Sequence, residues 1–562
     1  MAVKEFSEGL NFAILTDSFE VFEWQYDAVE ALVREPGVRP IVVIIKDPHC
    51  RKKHQRKQRE KWNSLFYRIY TSYFFHPLTR NKKDLKSLVG NLSVIKSCTR
   101  LEDQYEYFSQ EDISSIQDHK PDFILKLGFG ELKGEILTST PLGVWDYHYA
   151  DEQKFRGHPP AFWEIYTGDH KTGATLQRLT EEIDGGVILR KGLFKTIEHS
   201  WSQNLRQTLE LTKRWPADVC REIINQNTFP DTIRGVETIA PIYNLPGNTT
   251  FTFFLLKLLK NKLQHFFNEL FSVEIWQTGI IKARTADILG ELSYTIDPVE
   301  VDWHTAHGKN DYYADSFALR VSDRLLLLYE DYSYKSRLGK ISAVWFDERD
   351  FTFSEPITLL DEQWHLSYPF VFKHNNTIYC IPSCSDKKSI DLYRLDISSM
   401  KLVHDRVLIK GVGAIDPTLI HHQNHWFLFF TSDNAPNTEL HIWHSEDLDQ
   451  EFVPHVLNPV KSNVSNSRPA GPLFYLDGNL YRPSQDCSRS YGGRVIIHEV
   501  KLLSEDSFLE MAVSVLDPPS GFKGLHNISF ASDFMYFDVK RMGFSPANFF
   551  YQIKRRVGLI RS

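Results

Sequence analysis

The chain has little cysteine. Six occur in 562 residues, at Cys50, Cys98, Cys220, Cys380, Cys384 and Cys487. The Cys380-x-x-x-Cys384 pair has no second pair to complete a zinc site, and His421-His422 has no further ligands near it in sequence. No metal site is expected. So sparse a set of thiols fits a reduced, cytoplasmic setting. Positive charge is not in excess either. The formal net charge is −7, which argues against a nucleic-acid partner. The opening stretch MAVKEFSEGLNFAILTDSF has no signal-peptide core. No uncharged apolar run reaches the roughly 18 residues that a spanning helix needs. No GxGxxG follows the first apolar run, so a dinucleotide fingerprint is absent.

What remains is globular in composition, with 42% hydrophobic and 24% charged residues. At this length two or more domains are expected. Aromatic residues are abundant, at 13% with 12 Trp. They suit β-rich parts and carbohydrate-facing surfaces as well as ordinary cores.

The first third alternates strand and helix signals. NFAILT (11–16) reads as a strand and 23–34 as a helix, with Trp24, Ala28, Ala31 and Leu32 on one side. PIVVIIK (40–46) suits a buried parallel strand. The order β-α-β with short connections predicts a doubly wound α/β sheet. The run RKKHQRKQREK (51–61) is a solvated helix start or a phosphate contact, and the aromatic stretch 62–75 is read as covering the sheet. PDFILKLGFG (121–130) is a further strand running into a glycine-containing loop, and 202–214 with 217–225 reads as a closing helix pair.

Residues 142–190 carry the polar groups that chemistry could use. Asp146 and His148 are two apart in a strand pattern and so project from one face. Arg156 and Gly157 follow, and Asp184 lies on the turn-forming stretch EIDGG. A carboxylate there could orient a histidine on a neighbouring strand.

From about 228 the composition shifts. A Pro/Gly/Asn/Thr-rich connector leads to FTFFLLKLLKNKLQHFFNELF (251–271), where Leu255, Leu259, Leu263, Phe266 and Leu270 fall on one helical face. Such a helix lies on a membrane surface or docks between domains, and the docked reading is preferred. The remainder is all β and repeats. The segments 314–332, 367–383, 415–432 and 470–486 each show an entry turn, a strand, a polar turn and an aromatic second strand. Spacings of about 50 residues mark propeller blades. A fifth blade would join 275–283 with segments near 494–500 and 524–536.

The motifs LG-x-W-D-x-H, F-R-G-x-x-P, F-W-E-I-x-x-G, T-G-A-T-L and I-D-G-G-x-I-L resemble the folate-dependent formyltransferase family, from about Asn11 to Lys195. The resemblance implies N10-formyltetrahydrofolate as formyl donor, with His148 handling the proton, Asp184 orienting it, and Arg156 and Gly157 contacting substrate. It implies that the loop of Gly128, Phe129 and Gly130 helps hold the folate. Asp146 stands where the family has Asn. As a carboxylate it would repel a developing oxyanion, so it would act protonated, or bind the acceptor's ammonium, or signal a different reaction.

HLSYPFVF, IDPTL, RPAGPLF and RPSQDCSR resemble the propeller domain of glucosamine inositolphosphorylceramide transferases and, more distantly, five-bladed glycoside hydrolases. Asp315 and Asp416 match two hydrolase carboxylates, and Ala470 replaces the acid. That leaves the two Asp as turn residues or as ligands of sugar hydroxyls.

The resulting expectation is an α/β doubly wound formyltransferase-like domain (1–230), a linker with an amphipathic helix (231–272), an all-β five-bladed propeller (273–545) and a basic tail (546–562). It would formylate the amine of a nucleotide- or lipid-linked amino sugar in surface glycan assembly, in the cytoplasm, with peripheral contact to the inner membrane. The rivals are a carbohydrate-binding scaffold with an altered formyltransferase site and a glycosyltransferase-associated propeller. Oligomeric state is not readable.

Overall fold

The computed structural model describes residues 6–50, 62–75, 81–102, 105–181, 186–229, 233–234, 240–290, 292–306 and 311–556. The chain divides into two units, 1–264 and 265–562. The basic run 51–61, Asp184 and residues 557–562 of the tail lie outside the described residues.

The first unit is built on an eight-stranded sheet. Its strands are β1 (Leu10–Thr16), β2 (Val38–Lys46), β3 (Ser93–Ser97), β4 (Phe123–Lys126), β5 (Val144–His148), β6 (Lys171–Arg178), β7 (Val187–Lys195) and β8 (Ile233–Arg234), in the order β8-β7-β6-β5-β4-β1-β2-β3. From β5 to β3 neighbours run parallel, and β6, β7 and β8 are added antiparallel. The parallel strands are continuous apolar runs because both faces are covered. Phe12, Ile14, Val43, Phe123 and Leu125 face one core cluster, and Ala13, Leu15, Val42, Ile44 and Ile124 face another. The helix Glu23–Arg34 buries Ala28, Val29, Ala31 and Leu32. The helix Gln110–Asp118 is capped by Ser109 Oγ, which accepts from the Asp112 N–H at 3.1 Å.

Two expectations fail here. The helix Leu65–Phe74 does not cover the sheet. Tyr67 and Tyr70 pack on Trp201 and Phe251 instead. In the helix Asn248–Phe271 the buried stripe of the first half is Phe251, Phe254 and Leu258; of the predicted face Leu270 is buried and Leu255 half-buried, while Leu259, Leu263 and Phe266 are exposed. That helix is apolar on nearly every side, so periodicity could not select the stripe that docks. The cysteines also differ. Cys98 is disulfide-bonded, whereas Cys220, Cys380, Cys384 and Cys487 are free and buried. Pairing depends on Cα approach in the fold, which irregular spacing does not reveal.

Among its described residues the second unit contains five antiparallel sheets of four or five strands, one of them with an added parallel strand. Three follow the chain directly: Asp311–Leu360, Ser367–Lys410 and Ala414–Ser462. A fourth holds Phe474–Leu476, Asn479–Asp486, Arg494–Leu503 and Phe508–Asp517, joined by Ser293–Thr295. The fifth pairs Ser272–Lys282 with Phe534–Phe544, flanked by Asp302–His304 and Gly524–Ala531. Segment 494–500 therefore belongs to the fourth sheet, not to the sheet of 275–283. Strand pairing follows chain adjacency across the short turn after Asp486, which outweighs the approximate period used to place it.

Candidate active site

The C-terminal ends of β4 and β5 open onto a cavity of about 450 Å³ in the first unit. Asp146 and His148 line it, as their alternation in β5 requires. Lys126, at the end of β4, lines it beside them. Its Nζ lies 2.7 Å from Asp146 Oδ2. Burial would lower the Lys126 pKa, but the carboxylate of Asp146 outweighs it and holds the ammonium above its ordinary value. His148 Nε2 is buried and, among the described residues, has no hydrogen-bond partner. A buried imidazole nitrogen normally finds one, so an unpartnered nitrogen on a residue that lines a cavity can take a ligand proton.

Gly157 closes one side. Its φ is +92°, and a Cβ there would collide with the Tyr243 carbonyl. Only glycine fits, because Arg156–Gly157 pairs in parallel with Ile242–Tyr243. Arg156 turns to the Ala240 carbonyl, 3.4 Å from Nη1, and is not in the cavity wall. His158 is in the wall, its N–H donating to Tyr243 O at 3.1 Å. The wall also holds Tyr147, Tyr149, Gln177 and Lys133.

Gly128, Phe129 and Gly130 are elsewhere, outside the cavity wall. Phe129 stacks on Phe108 at 5.4 Å and donates its N–H to Asp17 Oδ1, and the Gly130 N–H donates to Glu106 Oε1 at 3.1 Å. The structure thus brings together Asp146, His148 and Gly157, and adds Lys126, which sequence reasoning passed over. The signal was present: one lysine in the apolar strand FILK needs a counter-ion.

In the second unit the first strands of three sheets bulge at Asp315, Tyr368 and Asp416, each with positive φ. Asp538 Oδ2 accepts the Asp315 N–H at 2.8 Å, and Asp315 Oδ2 accepts the Tyr368 N–H at 3.1 Å. The Tyr368 hydroxyl accepts the Gly471 N–H at 2.8 Å and meets Thr418 Oγ1 at 2.9 Å. His526 lies between two carboxylates, 2.5 Å from Asp538 and 3.3 Å from Asp315. Burial pushes Asp315 up to about 7, with His526 pulling the other way. Asp416 takes two bonds from Arg468, at 2.6 and 3.3 Å, and one from Gln485 at 3.0 Å. Asp315, His526 and Asp538 offer ligand atoms within 4.8 Å of one another. Three backbone N–H groups, of Asp315, His526 and Asn527, already satisfy Asp538 without a cation. Ala470 is fully buried.

Comparison with known proteins matches this division. Residues 12–214 match the formyl transferase family. Residues 301–527 match the N-terminal region of glucosamine inositolphosphorylceramide transferase 1. The two matched stretches fall one in each unit. The protein called glucosamine inositolphosphorylceramide transferase 1 in Oryza sativa subsp. japonica is 34% identical over 212 residues, 37% of this chain and 28% of that one. A methionyl-tRNA formyltransferase of Clostridioides difficile (strain 630) is 30% identical over 157 residues, 25% of this chain and 48% of that one. Each match thus spans less than half of the relative. A GH43_1 enzyme from Xanthomonas citri covers 43% of this chain and 90% of its own, at 13% identity and a TM-score of 0.32.

Proposed function

We propose that the first unit moves a formyl group from N10-formyltetrahydrofolate to the primary amine of an amino sugar, nucleotide- or lipid-linked, in surface glycan assembly. The observation that carries this reading is the buried Nε2 of His148, unpartnered among the described residues, on a residue that lines the cavity with the Lys126–Asp146 pair. The donor supplies an activated formyl carbon when bound. The chain's residues bind, orient and move protons. The acceptor amine must be neutral to attack, so a base must take its proton as the new C–N bond forms. His148 Nε2 is that base. The bond from the formyl carbon to the folate nitrogen then breaks, and the protonated imidazole can return the proton to that nitrogen. Negative charge that develops on the formyl oxygen needs a donor. A carboxylate at position 146 cannot donate, but the Lys126 ammonium paired with it can. The family's amide is thus replaced by a paired cation and anion.

In the second unit we infer a five-bladed propeller that binds sugar without hydrolysing it. The recurrence of the bulge at positions 315, 368 and 416, and the hydrogen bonds Asp538–Asp315, Asp315–Tyr368 and Tyr368–Thr418 that tie successive sheets, support the blade reading. Glycoside hydrolysis takes two carboxyl groups, one of them an acid free to donate. Here Asp416 is held by Arg468, and the acid's place is Ala470.

The test is release of tetrahydrofolate from N10-formyltetrahydrofolate in the presence of a panel of nucleotide-linked amino sugars. Acceptor-dependent release that His148→Ala removes supports the reading. Neither release nor binding of a formyl-folate analogue would sink it and favour a sugar-binding scaffold.

A further inference from the structure

Two neighbouring helices, Leu65–Phe74 and the part of Asn248–Phe271 that belongs to the first unit, present apolar faces that no described residue of that unit covers. The helix Leu65–Phe74 exposes Phe66, Ile69 and Tyr73, spaced three and four apart, and Tyr73 is 76% exposed. The helix Asn248–Phe271 exposes Leu256, Leu259 and Leu263, again three and four apart, and Leu263 is 62% exposed. Each spacing is one continuous stripe along a helix. The two helices are held side by side. Asn248 bridges them, its Oδ1 accepting the Phe66 N–H at 3.1 Å and its Nδ2 donating to Trp62 O at 2.7 Å. Tyr67 and Tyr70 meet Phe251 edge to face. Both helices turn their inner sides to one aromatic cluster with Phe162 and Trp201, so both outer stripes point away from the body of the unit.

Over the stretches that carry the exposed stripes the charge has one sign, and the one acid of the longer helix, Glu269, lies beyond them and is paired with Arg556. Residues 62–75 and 248–264 contain Arg68, Lys257, Lys260 and Lys262 and no Asp or Glu, in a chain whose net charge is −7. Lys257 is used inside the fold, donating to Tyr166 O at 3.0 Å, while Lys260 and Lys262 are exposed. Leucine and aromatic stripes beside cations fit the boundary between acyl chains and anionic headgroups. The longer helix cannot cross a bilayer, since no helix among the described residues is long and apolar enough. We propose that this two-helix face seats the first unit on an anionic lipid bilayer, lying in the headgroup plane. The placement does not depend on the chemistry assigned to the cavity.

Flotation of the full chain with phosphatidylcholine vesicles, with and without phosphatidylglycerol, tests this. The chain should float with the anionic vesicles, and added salt should weaken the association. Leu256→Ser with Leu263→Ser should lower partition about tenfold, because two apolar side chains no longer enter the boundary. Lys260→Glu with Lys262→Glu should remove the preference for phosphatidylglycerol. All four positions are exposed, so far-UV circular dichroism should not change. No flotation with either vesicle would overturn the proposal. So would a wild-type dimer that the leucine substitutions dissociate while vesicle binding is absent, because a second copy of the chain would then own the face.

Discussion

Lys126 ends its strand and Asp146 lies at the middle of the parallel neighbour, each one step beyond the paired residues Leu125 and Trp145, and their side chains meet at 2.7 Å. Neither residue is simple to place alone. A lysine at the end of a buried strand pays desolvation, and a carboxylate beside a forming oxyanion repels it. Together each removes the other's penalty, and the ammonium keeps further N–H groups for a ligand. Lys126→Met should therefore destabilise the protein by about 3 kcal/mol, since it strands a largely buried carboxylate. Lys126→Met with Asp146→Asn should recover most of that loss. Urea unfolding of the two single variants and the double variant measures the coupling. If the double variant were no more stable than Lys126→Met, the pair would not be the unit described here.

His148 offers a different signature. Its Nε2 makes no hydrogen bond among the described residues, so His148→Ala should leave the unfolding temperature within a few degrees of wild type. Formyl transfer should fall by about 10² or more. A large loss of stability with activity per folded molecule retained would reassign His148 to packing.

Glu164 predicts a pH dependence of stability. Its carboxyl is buried in the helix Trp163–Thr167, and burial raises its pKa from 4.5 to about 8. The folded chain then holds a proton that the unfolded chain releases. The stabilising contribution is complete below about pH 4.5 and is lost as pH rises through 8. Glu164→Gln should flatten this part of the stability profile, gaining most at pH 8. Unfolding midpoints across pH 5 to 8.5 in roughly half-unit steps would show the crossing curves.

Gly157 tests the cavity wall. Gly157→Ala sets a methyl against the Tyr243 carbonyl in a left-handed conformation. Separation of the strand pair 156–157 and 242–243 is expected, with a loss of about 1–3 kcal/mol. KM for the acceptor should rise more than kcat falls, because the wall borders the cavity without supplying the proton acceptor.

In the second unit, Asp416→Ala should cost about 3–5 kcal/mol by leaving Arg468 buried without its partner. Wild-type protein should release no aryl alcohol from aryl glycosides, because no free acid stands at Ala470. Hydrolysis by the wild type would show that another carboxyl serves as acid.

Much of the architecture was readable from the residues because it rests on local period. Buried parallel strands are apolar throughout, so PIVVIIK and PDFILK announced the sheet, and the hairpin recurrence after 314 announced repeated β units. Asp146 and His148 share a face because alternation in a strand is geometric. Tertiary structure decided the rest. The partner of Asp146 is 20 residues earlier in the chain, and only strand order sets Lys126 beside it. The glycine loop 128–130 is anchored on Asp17 and Glu106, partners that only the fold brings to it. Segment 494–500 went to the sheet its short connection favours. The helix Asn248–Phe271 illustrates the limit most directly. Its sequence determined that it would be an apolar helix with cations, while in its first half the aromatic cluster of the first unit decided which stripe is buried and which is left facing outward, because burial depends on what surface is near and not on period.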